Sequence, residues 1–267
     1  MSQPIHLPVH LIDTHCHLDF DYPGKTHQDL VREARLAGVD YLITIGTTLE
    51  FLQKIVAISE QYSEVFHTVG VHPHDSIEMT DMGLDLLEKA AQHSKCKAIG
   101  EIGLDYHYDH SPREVQRKCF DDQLTLALQL QKPVVIHSRE ADGDILLALK
   151  QYVCKLKSGF LPGVLHCFSG STYLLDACLE MGFYFSFSGI LTFKNAETLR
   201  ECARKIPINR ILVETDSPFL APVPFRGKTC EPSMVRLVAE KLAEVRGISL
   251  EEVARLTTEN ARKLFDF

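Results

Sequence analysis

The chain has 267 residues, with 28 Lys and Arg against 36 Asp and Glu, so its formal net charge is −8 when histidine is neutral. This balance excludes a broad basic face as the main means of holding nucleic acid, although bound divalent cations would create a local positive site. Apolar residues make up 45% of the chain, which is typical of a globular domain and excludes a disordered one.

The cysteines and the N-terminus bear on the cellular compartment. Eight cysteines are scattered without a C-x-x-C pair, which is typical of reduced residues in an intracellular protein. Residues 1–6 carry no Lys or Arg before an apolar run, so we expect no signal peptide. No apolar stretch approaches the roughly 18 to 20 residues of a membrane span. We therefore predict a cytoplasmic protein without a membrane segment.

Short apolar or β-branched runs alternate with longer amphipathic runs along the whole chain. The predicted strands are 10–14, 39–45, 65–71, 97–102, 133–136, 163–167, 183–187 and 210–215. The predicted helices are 26–37, 49–62, 112–130, 142–156, 172–181 and 195–205. Two more helices are expected within 232–267, and the second opens with a capping box formed by Ser249 and Glu252.

This alternation predicts an α/β protein, a single (β/α)8 TIM-type barrel domain over residues 1–267 with extra C-terminal helices. An open doubly wound sheet would need a Gly-rich turn after the first strand, and the chain reads THCHL there, at 14–18. No linker rich in Pro, Gly or Ser marks a second domain.

Residue types that bind metals recur at the ends of the predicted strands. They are His15, His17, His72, His74, Glu101, His137, His166 and Asp216. The carboxyl ends of all strands in a parallel barrel meet on one face, so these side chains are expected to line one pocket. A lone histidine of this kind is more often a surface or hydrogen-bonded residue. The coincidence of so many favours a metal site.

The local sequence around the acidic and paired residues strengthens the metal interpretation. His15 and His17 are two apart on a strand, so both side chains point the same way and Cys16 points away. Glu101 lies between glycines in an apolar strand, where an unpaired carboxylate is costly. Pro218 forces the chain out of the strand just after Asp216.

The predicted metal ligands are His15, His17, Glu101, His137, His166 and Asp216. These four histidines and two carboxylates are more ligands than one ion normally uses. We predict two divalent ions, Zn²⁺, Mn²⁺ or Mg²⁺, bridged by Glu101 and a hydroxide. Such a pair makes hydroxide available near neutral pH and stabilises both the attacking and the leaving oxygen. Glu101 and Asp216 are the predicted catalytic residues, with Asp216 as general base. Asp13 and Glu214 are predicted to orient the ligands.

Seven segments, taken together and in order, resemble the TatD-type metal-dependent deoxyribonucleases of the amidohydrolase-like barrel superfamily. They are DTHCHLD at 13–19, GVHPH at 70–74, GEIGLDY at 100–106, VIHSR at 135–139, HCFSG at 166–170, ETDSP at 214–218 and RGK at 226–228. The resemblance implies a TIM-type barrel and hydrolysis of DNA phosphodiesters, commonly as a 3′ to 5′ exonuclease.

The resemblance also divides the ligands. It implies that His15, His17, Glu101 and Asp216 hold one ion. Glu101, His137 and His166 would hold the other. Cys230 departs from the pattern, because the family usually has Asn before Glu-Pro, and a thiol cannot replace the paired donor and acceptor of an amide.

Substrate contacts are expected around the same strand ends. His72 matches an active-site histidine of the family, and Arg139 is the best candidate for a phosphate contact because it follows a ligand strand. Ser138 and Ser169 are further candidates. Tyr106, Phe168, Phe193 and Phe225 are candidates for stacking on bases, although packing is the more common role of each. A positive pocket on a negative protein suits DNA ends or short single strands, and we expect a monomer.

Two other functions stay open at this point. A hydrolase of amide, lactone, ester or aminoacyl bonds on a small or tRNA-linked substrate would use nearly the same ligands. The strand 133–136 does not end in a Lys that carboxylation would turn into a bridging ligand, which argues against the lactonase and phosphotriesterase branch. A non-catalytic metal-binding scaffold would be expected to lack one of the six ligands.

Overall fold

Eight parallel strands form the central sheet of the computed structural model, which describes residues 9–267. The strands are β1 (Leu11–Cys16), β2 (Val39–Thr44), β3 (Val65–Val69), β4 (Cys96–Asp105), β5 (Val134–Arg139), β6 (Gly163–Leu165), β7 (Tyr184–Phe187) and β8 (Ile211–Val213). Each strand pairs with the next one in the chain. Residues 1–8, on which the prediction about a signal peptide depends, lie outside the described residues.

The sheet closes where the loop after β8 meets β1. The amide of Asp216 donates to the carbonyl of His15 at 2.8 Å, and the amide of His17 donates to the carbonyl of Ser217 at 2.8 Å. With helices between successive strands, this arrangement confirms the predicted (β/α)8 TIM-type barrel. The seam also brings the first and last metal-type motifs of the sequence into contact.

Nine helices surround the strands within residues 9–267. They are α1 (His27–Leu36), α2 (Leu52–Gln61), α3 (Asp81–Ala91), α4 (Arg113–Leu130), α5 (Asp142–Val153), α6 (Thr172–Glu180), α7 (Glu197–Lys205), α8 (Val235–Arg246) and α9 (Leu250–Phe265). The sequence patterns did not predict α3. Its signals were present: Leu87 and Ala91 are buried on one face, and the Thr80 hydroxyl caps its first turn by accepting from the amide of Gly83.

The apolar core has two layers, as expected for a barrel. The interior of the barrel is filled by one cluster, which includes Ile12, Ile43, Ala98, Val135, Val164 and Leu212. Leu264 and Phe265 of α9 belong to this cluster, so the C-terminal helix covers one end of the barrel. The second layer lies between the strands and the surrounding helices and contains residues such as Leu11, Leu42 and Ile136.

Strand lengths differ from the predictions in ways that matter for the site. β4 runs on to Asp105 instead of ending at 102, while β6 and β8 end at Leu165 and Val213. His166 therefore follows directly after its strand, and Asp216 lies in the loop beyond β8. Within residues 9–267, no helix combines the length and the apolar character that crossing a bilayer would require.

Candidate metal centre

Glu101 of β4 is buried at the middle of the predicted ligands, and its two carboxylate oxygens face different neighbours. Oε1 lies 2.7 Å from Nε2 of His166 and 3.0 Å from Nδ1 of His137. Oε2 lies 3.4 Å from Nε2 of His15 on the other side. A carboxylate with one oxygen toward each of two ligand groups has the geometry that a bridging ligand needs.

Asp216 completes the group around His15 and His17. Its Oδ1 lies 3.3 Å from Nε2 of His17 and 3.6 Å from Nε2 of His15. The backbone of Asp216 has a φ of +59°, a left-handed conformation that is uncommon for a residue with a side chain. Strained positions of this kind cluster at functional sites, where the surrounding structure holds them.

The pairing of β1 with β2 becomes irregular close to the two histidines. The pairing register between β1 and β2 shifts between Asp13 and Cys16. Such bulges change the face to which the following side chains point. Cys16 packs in the outer core and its thiol donates to the carbonyl of Ile43, whereas His15 and His17 both face Asp216.

The histidines keep both carboxylates ionised. Burial by itself would raise the pKa of Glu101, but His166, His72 and His137 outweigh it and hold the pKa well below its usual value. Burial likewise opposes ionisation of Asp216, and His17 and His15 still lower its pKa. The centre therefore holds two negative charges among neutral and cationic imidazoles, an environment that attracts cations.

The donor atoms of this structure fit divalent cations. Both ring nitrogens of His15 are buried without a hydrogen-bond partner in the described part of the chain, which is costly unless another species binds them. Three donor groups have ligand atoms within 4.8 Å of one another: His15, His17 and Glu101; His72, Glu101 and His137; and His15, His166 and Glu214. Imidazole and carboxylate donors suit Zn²⁺ and Mn²⁺, and carboxylates also suit Mg²⁺.

His72 differs from the other histidines in its hydrogen bonding. Its Nδ1 accepts from the amide of His74 at 3.2 Å, so the neutral ring carries its proton on Nε2. That nitrogen lies 3.5 Å from Oε1 of Glu101. A protonated Nε2 favours a hydrogen-bond donor rather than a ligand, in keeping with the substrate contact proposed for His72.

The two predicted orienting residues have different contacts. Glu214 accepts from the amide of Cys167 at 2.6 Å and lies 3.4 Å from Nδ1 of His166, so it contacts a ligand ring. Asp13 instead accepts from the hydroxyl of Thr215 at 2.6 Å and from the amide of His15 at 3.3 Å. Burial raises the pKa of Asp13 to about 8. Asp13 thus holds the backbone of His15 rather than its imidazole.

Asp105 is a site residue that the sequence reasoning missed. Its Oδ2 lies 3.0 Å from Nε2 of His137 and 3.0 Å from Nε2 of His74. An ionised Asp105 accepts the proton of Nε2, so that in the neutral ring Nδ1, the nitrogen 3.0 Å from Glu101, is the one able to bind a cation. The signal was present, because Asp105 follows Glu101 by four residues and side chains of a strand repeat every two.

A cavity of about 450 Å³ opens above this centre and is lined by all four predicted substrate contacts, His72, Ser138, Arg139 and Ser169. Arg139 is exposed, with its guanidinium carbon 5.5 Å from the centre of the Tyr108 ring. No carboxylate of residues 9–267 lies within ion-pair distance of this guanidinium. The Ser138 hydroxyl is buried and has no partner among the described residues.

The aromatic candidates from the sequence are engaged elsewhere. The Tyr106 hydroxyl donates to Asp144, Phe168 is buried, Arg226 covers Phe193 at 3.7 Å, and the Lys228 ammonium lies 5.6 Å from Phe225. The aromatic rings that line the cavity are Phe20, Tyr108 and Phe219. Sequence position alone did not distinguish them, because exposure depends on how the loops pack.

Cys230 lies away from the cavity. Its side chain is fully buried, and its amide donates to the carbonyl of Pro218 at 3.0 Å. It is not one of the residues that line the cavity. The thiol therefore fills a packed position behind the loop that follows Asp216.

Known proteins are similar to this chain over nearly its whole length. The sequence model of a family described as TatD related DNase matches residues 12–266. An uncharacterized metal-dependent hydrolase of Bacillus subtilis, YabD, is 39% identical over 96% of this chain and 98% of its own length. A Citrobacter rodentium protein named 3′-5′ ssDNA/RNA exonuclease TatD is 36% identical over 90% of this chain and 92% of its own.

A solved structure agrees with these sequence matches. The crystal structure of YJJV, a TatD homologue from Escherichia coli, superposes with a TM-score of 0.90 at 30% identity. The superposition covers 98% of this chain and 100% of the other. The similarity extends through every strand that carries a residue of the candidate centre.

Proposed function

The chain belongs to the TatD-related DNase family of metal-dependent hydrolases, and from this premise we propose that it is a deoxyribonuclease that removes nucleotides from the 3′ end of a strand. The relative named as a 3′-5′ ssDNA/RNA exonuclease supports the nucleic-acid substrate and the direction. We propose two divalent ions as cofactors, Zn²⁺, Mn²⁺ or Mg²⁺.

The single observation that carries the proposal is the division of the Glu101 carboxylate. In the proposed arrangement His15, His17, Glu101 and Asp216 hold one ion, and Glu101, His137 and His166 hold the other. The supporting distances are 3.4 Å from Oε2 to His15 and 2.7 Å from Oε1 to His166. When bound, the cations would polarise the phosphoryl group and stabilise the charge on the entering and leaving oxygens.

The residues of the chain supply the proton transfer. Asp216 is ionised, so its carboxylate is able to take a proton from the attacking water as general base. The water oxygen then bonds to phosphorus, and the bond between phosphorus and the 3′ oxygen breaks. The proton held by Asp216 becomes available to that leaving oxygen, which balances the reaction.

Substrate positioning falls to the residues around the cavity. The unpaired guanidinium of Arg139 is suited to bind the non-bridging phosphate oxygens, because two N–H groups match two oxygens. The hydroxyls of Ser138 and Ser169 and the Nε2–H of His72 are further donors on the cavity wall. A net charge of −8 with a local cationic centre suits a strand end better than a long duplex.

The test is digestion of a 5′-labelled DNA oligonucleotide with Mg²⁺, Mn²⁺ or Zn²⁺. We expect a ladder that shortens from the 3′ end, no products after chelation, and a rate at least about 100-fold lower for Asp216→Asn. Asp85→Asn, an exposed carboxylate on α3, is the matched control and should retain the wild-type rate.

Two results would contradict the proposal. The first is robust cleavage that survives both chelation and Asp216→Asn. The second is faster turnover of esters, amides or aminoacyl bonds than of DNA, which would favour the alternative acyl hydrolase.

A further inference from the structure

Two phenylalanines are exposed side by side at the mouth of the cavity. Phe20 is 40% exposed and Phe219 is 48% exposed. Their ring centres are 5.4 Å apart and the ring planes are inclined by 78°. Both rings also contact His17, at 5.4 and 6.1 Å between ring centres. Exposed large apolar side chains in contact with each other often mark a binding surface.

The backbone fixes these two rings in equivalent positions. The amide of Phe20 donates to the carbonyl of His17 at 3.3 Å, and the amide of Phe219 donates to that of Asp216 at 2.9 Å. Each ring therefore follows a residue of the candidate centre by one turn. The Tyr22 hydroxyl donates to Ser217 Oγ at 3.0 Å and ties the two loops together, so the pair is positioned before a ligand arrives.

The other side of the cavity has a different chemistry. Tyr108 is 54% exposed there, and the unpaired guanidinium of Arg139 lies against its ring. The cavity thus has a cationic group on one wall and an apolar aromatic pair on the other. A nucleotide has the same division, because its phosphate is anionic and its base has two apolar faces.

We propose that Phe20 and Phe219 form a stacking subsite for the nucleobase next to the scissile phosphodiester, so that the protein selects unpaired strand ends. This inference rests on the proposed nuclease function and specifies its substrate. A base inside a duplex is stacked on both faces and must leave the helix to contact the rings, whereas an unpaired terminal base can offer a face freely. The subsite accepts any base, since every base has a π-face.

The binding test uses a fluorescent reporter, because the chain contains no tryptophan. In Phe219→Trp, the single indole should be quenched in a saturable manner by a short oligothymidylate with a cleavage-resistant 3′-terminal phosphorothioate linkage. The same oligonucleotide without its two terminal bases should leave the fluorescence unchanged. Leu36→Trp is the control, because Leu36 is 79% exposed and ends α1 just before β2 begins, at the opposite end of the barrel.

The kinetic test separates stacking from packing. Phe20→Ala and Phe219→Ala should raise KM for a single-stranded oligonucleotide by about 5- to 100-fold and change kcat little, the range that loss of one base stack gives. Phe219→Leu keeps the apolar volume but removes the ring, and we expect a similar rise. All variants should match the wild type on a substrate with abasic terminal residues.

The outcomes separate this inference from the function on which it rests. Wild-type KM values in the alanine variants, or a leucine variant that behaves like the wild type, would overturn the subsite while the nuclease assignment stands. An unquenched Phe219→Trp that still binds a labelled oligonucleotide would do the same. Absence of any oligonucleotide binding or cleavage by the wild-type protein would overturn the proposed function, and the subsite with it.

Discussion

The buried carboxylate of Asp105 determines which nitrogen of the His137 ring carries the proton and which can bind a cation. Its Oδ1 accepts from the amides of His107 and Tyr108, and its Oδ2 faces His74 and His137. The carboxylate is therefore fixed by the backbone before it contacts an imidazole. Residues that orient metal-binding histidines in this way increase the basicity of the ligand and fix its tautomer.

The first prediction concerns Asp105→Asn. Loss of the negative charge should weaken the hold on the His137 tautomer and lower the affinity for one of two Mn²⁺ ions by about 10- to 100-fold. Isothermal titration calorimetry measures this directly. Asp109→Asn in the same loop is the control, because Asp109 is exposed and pairs with Arg113. Unchanged Mn²⁺ affinity in the Asp105 variant would show that the carboxylate does not position His137.

His67 predicts a dependence of stability on pH away from the site. It is fully buried, and its Nδ1 lies 2.8 Å from the Ser59 hydroxyl. Burial, reinforced by His93, lowers its pKa from 6.5 to about 3. As the pH falls below about 6.5, His67 is therefore protonated in the unfolded chain but stays neutral in the folded chain. The folded state is therefore not penalised by His67 above about pH 6.5, and the free energy of unfolding falls progressively between that pH and pH 3.

The second prediction follows from that sign. Between pH 7.5 and pH 5.0, the wild type should lose roughly 2 kcal/mol more of its free energy of unfolding than His67→Gln does, since each pH unit below the unfolded pKa is worth about 1.4 kcal/mol. Urea denaturation at the two pH values gives both numbers. Parallel losses in the two proteins would mean that His67 titrates normally in the folded state.

At the scale of the element, β4 carries both Glu101 and Asp105, and it pairs with β5, which carries His137. Gly103 lies between the two carboxylates with a φ of +146°, and a Cβ built there would lie 1.9 Å from the carbonyl oxygen of His137. Only glycine allows the strands to approach this closely. The glycines that flank Glu101 in the sequence therefore reflect strand packing beside the centre.

The third prediction compares two glycines. Gly103→Ala should lower the free energy of unfolding by about 3 kcal/mol, because it combines backbone strain with overpacking against β5. Gly143→Ala, in α5, has open space around the added methyl and should raise it by about 0.5 to 1 kcal/mol. Chemical denaturation measures both. A neutral Gly103→Ala would show that β4 and β5 can separate without cost.

At the scale of the whole molecule, closure of the barrel brings together imidazoles and carboxylates that are up to about two hundred residues apart in the chain. His15 and Asp216 lie 3.6 Å apart because β1 is adjacent to the loop after β8. Bringing buried imidazoles and carboxylates together without partners for every nitrogen costs free energy. Cations that bind only the folded arrangement should offset that cost.

The fourth prediction is stabilisation by metal. At a free Mn²⁺ concentration about 100-fold above its Kd, each bound ion should raise the free energy of unfolding by about 2.7 kcal/mol, which for a chain of this size raises Tm by roughly 5 to 10 °C per ion. Differential scanning calorimetry with and without chelator measures the shift. His15→Ala should remove the part of the shift that belongs to the ion it is proposed to hold, and Glu101→Ala, which removes the shared carboxylate, should remove most of the whole shift. A Tm that is indifferent to Mn²⁺ in the wild type would contradict binding at this centre.

The alternation of apolar runs determined the fold class, because a strand of four to six buried residues and an amphipathic helix are both local patterns. The same reasoning located the candidate centre: residues that end parallel strands must meet on one face, whatever their separation in the chain. His15, Glu101, His166 and Asp216 were found in this way. Helix α3 was missed although its signals are local as well, because Thr80 caps its first turn and Leu87 and Ala91 lie on one buried face.

Only the tertiary structure decided how individual atoms face one another. The division of the Glu101 oxygens, the bond from Asp105 to His137 and the exposure of Phe20 and Phe219 all depend on register between strands and on the packing of loops. These are contacts between segments distant in sequence, and their geometry follows from closure of the barrel. A linear pattern specifies which residues reach the rim, but closure fixes the direction in which each one points.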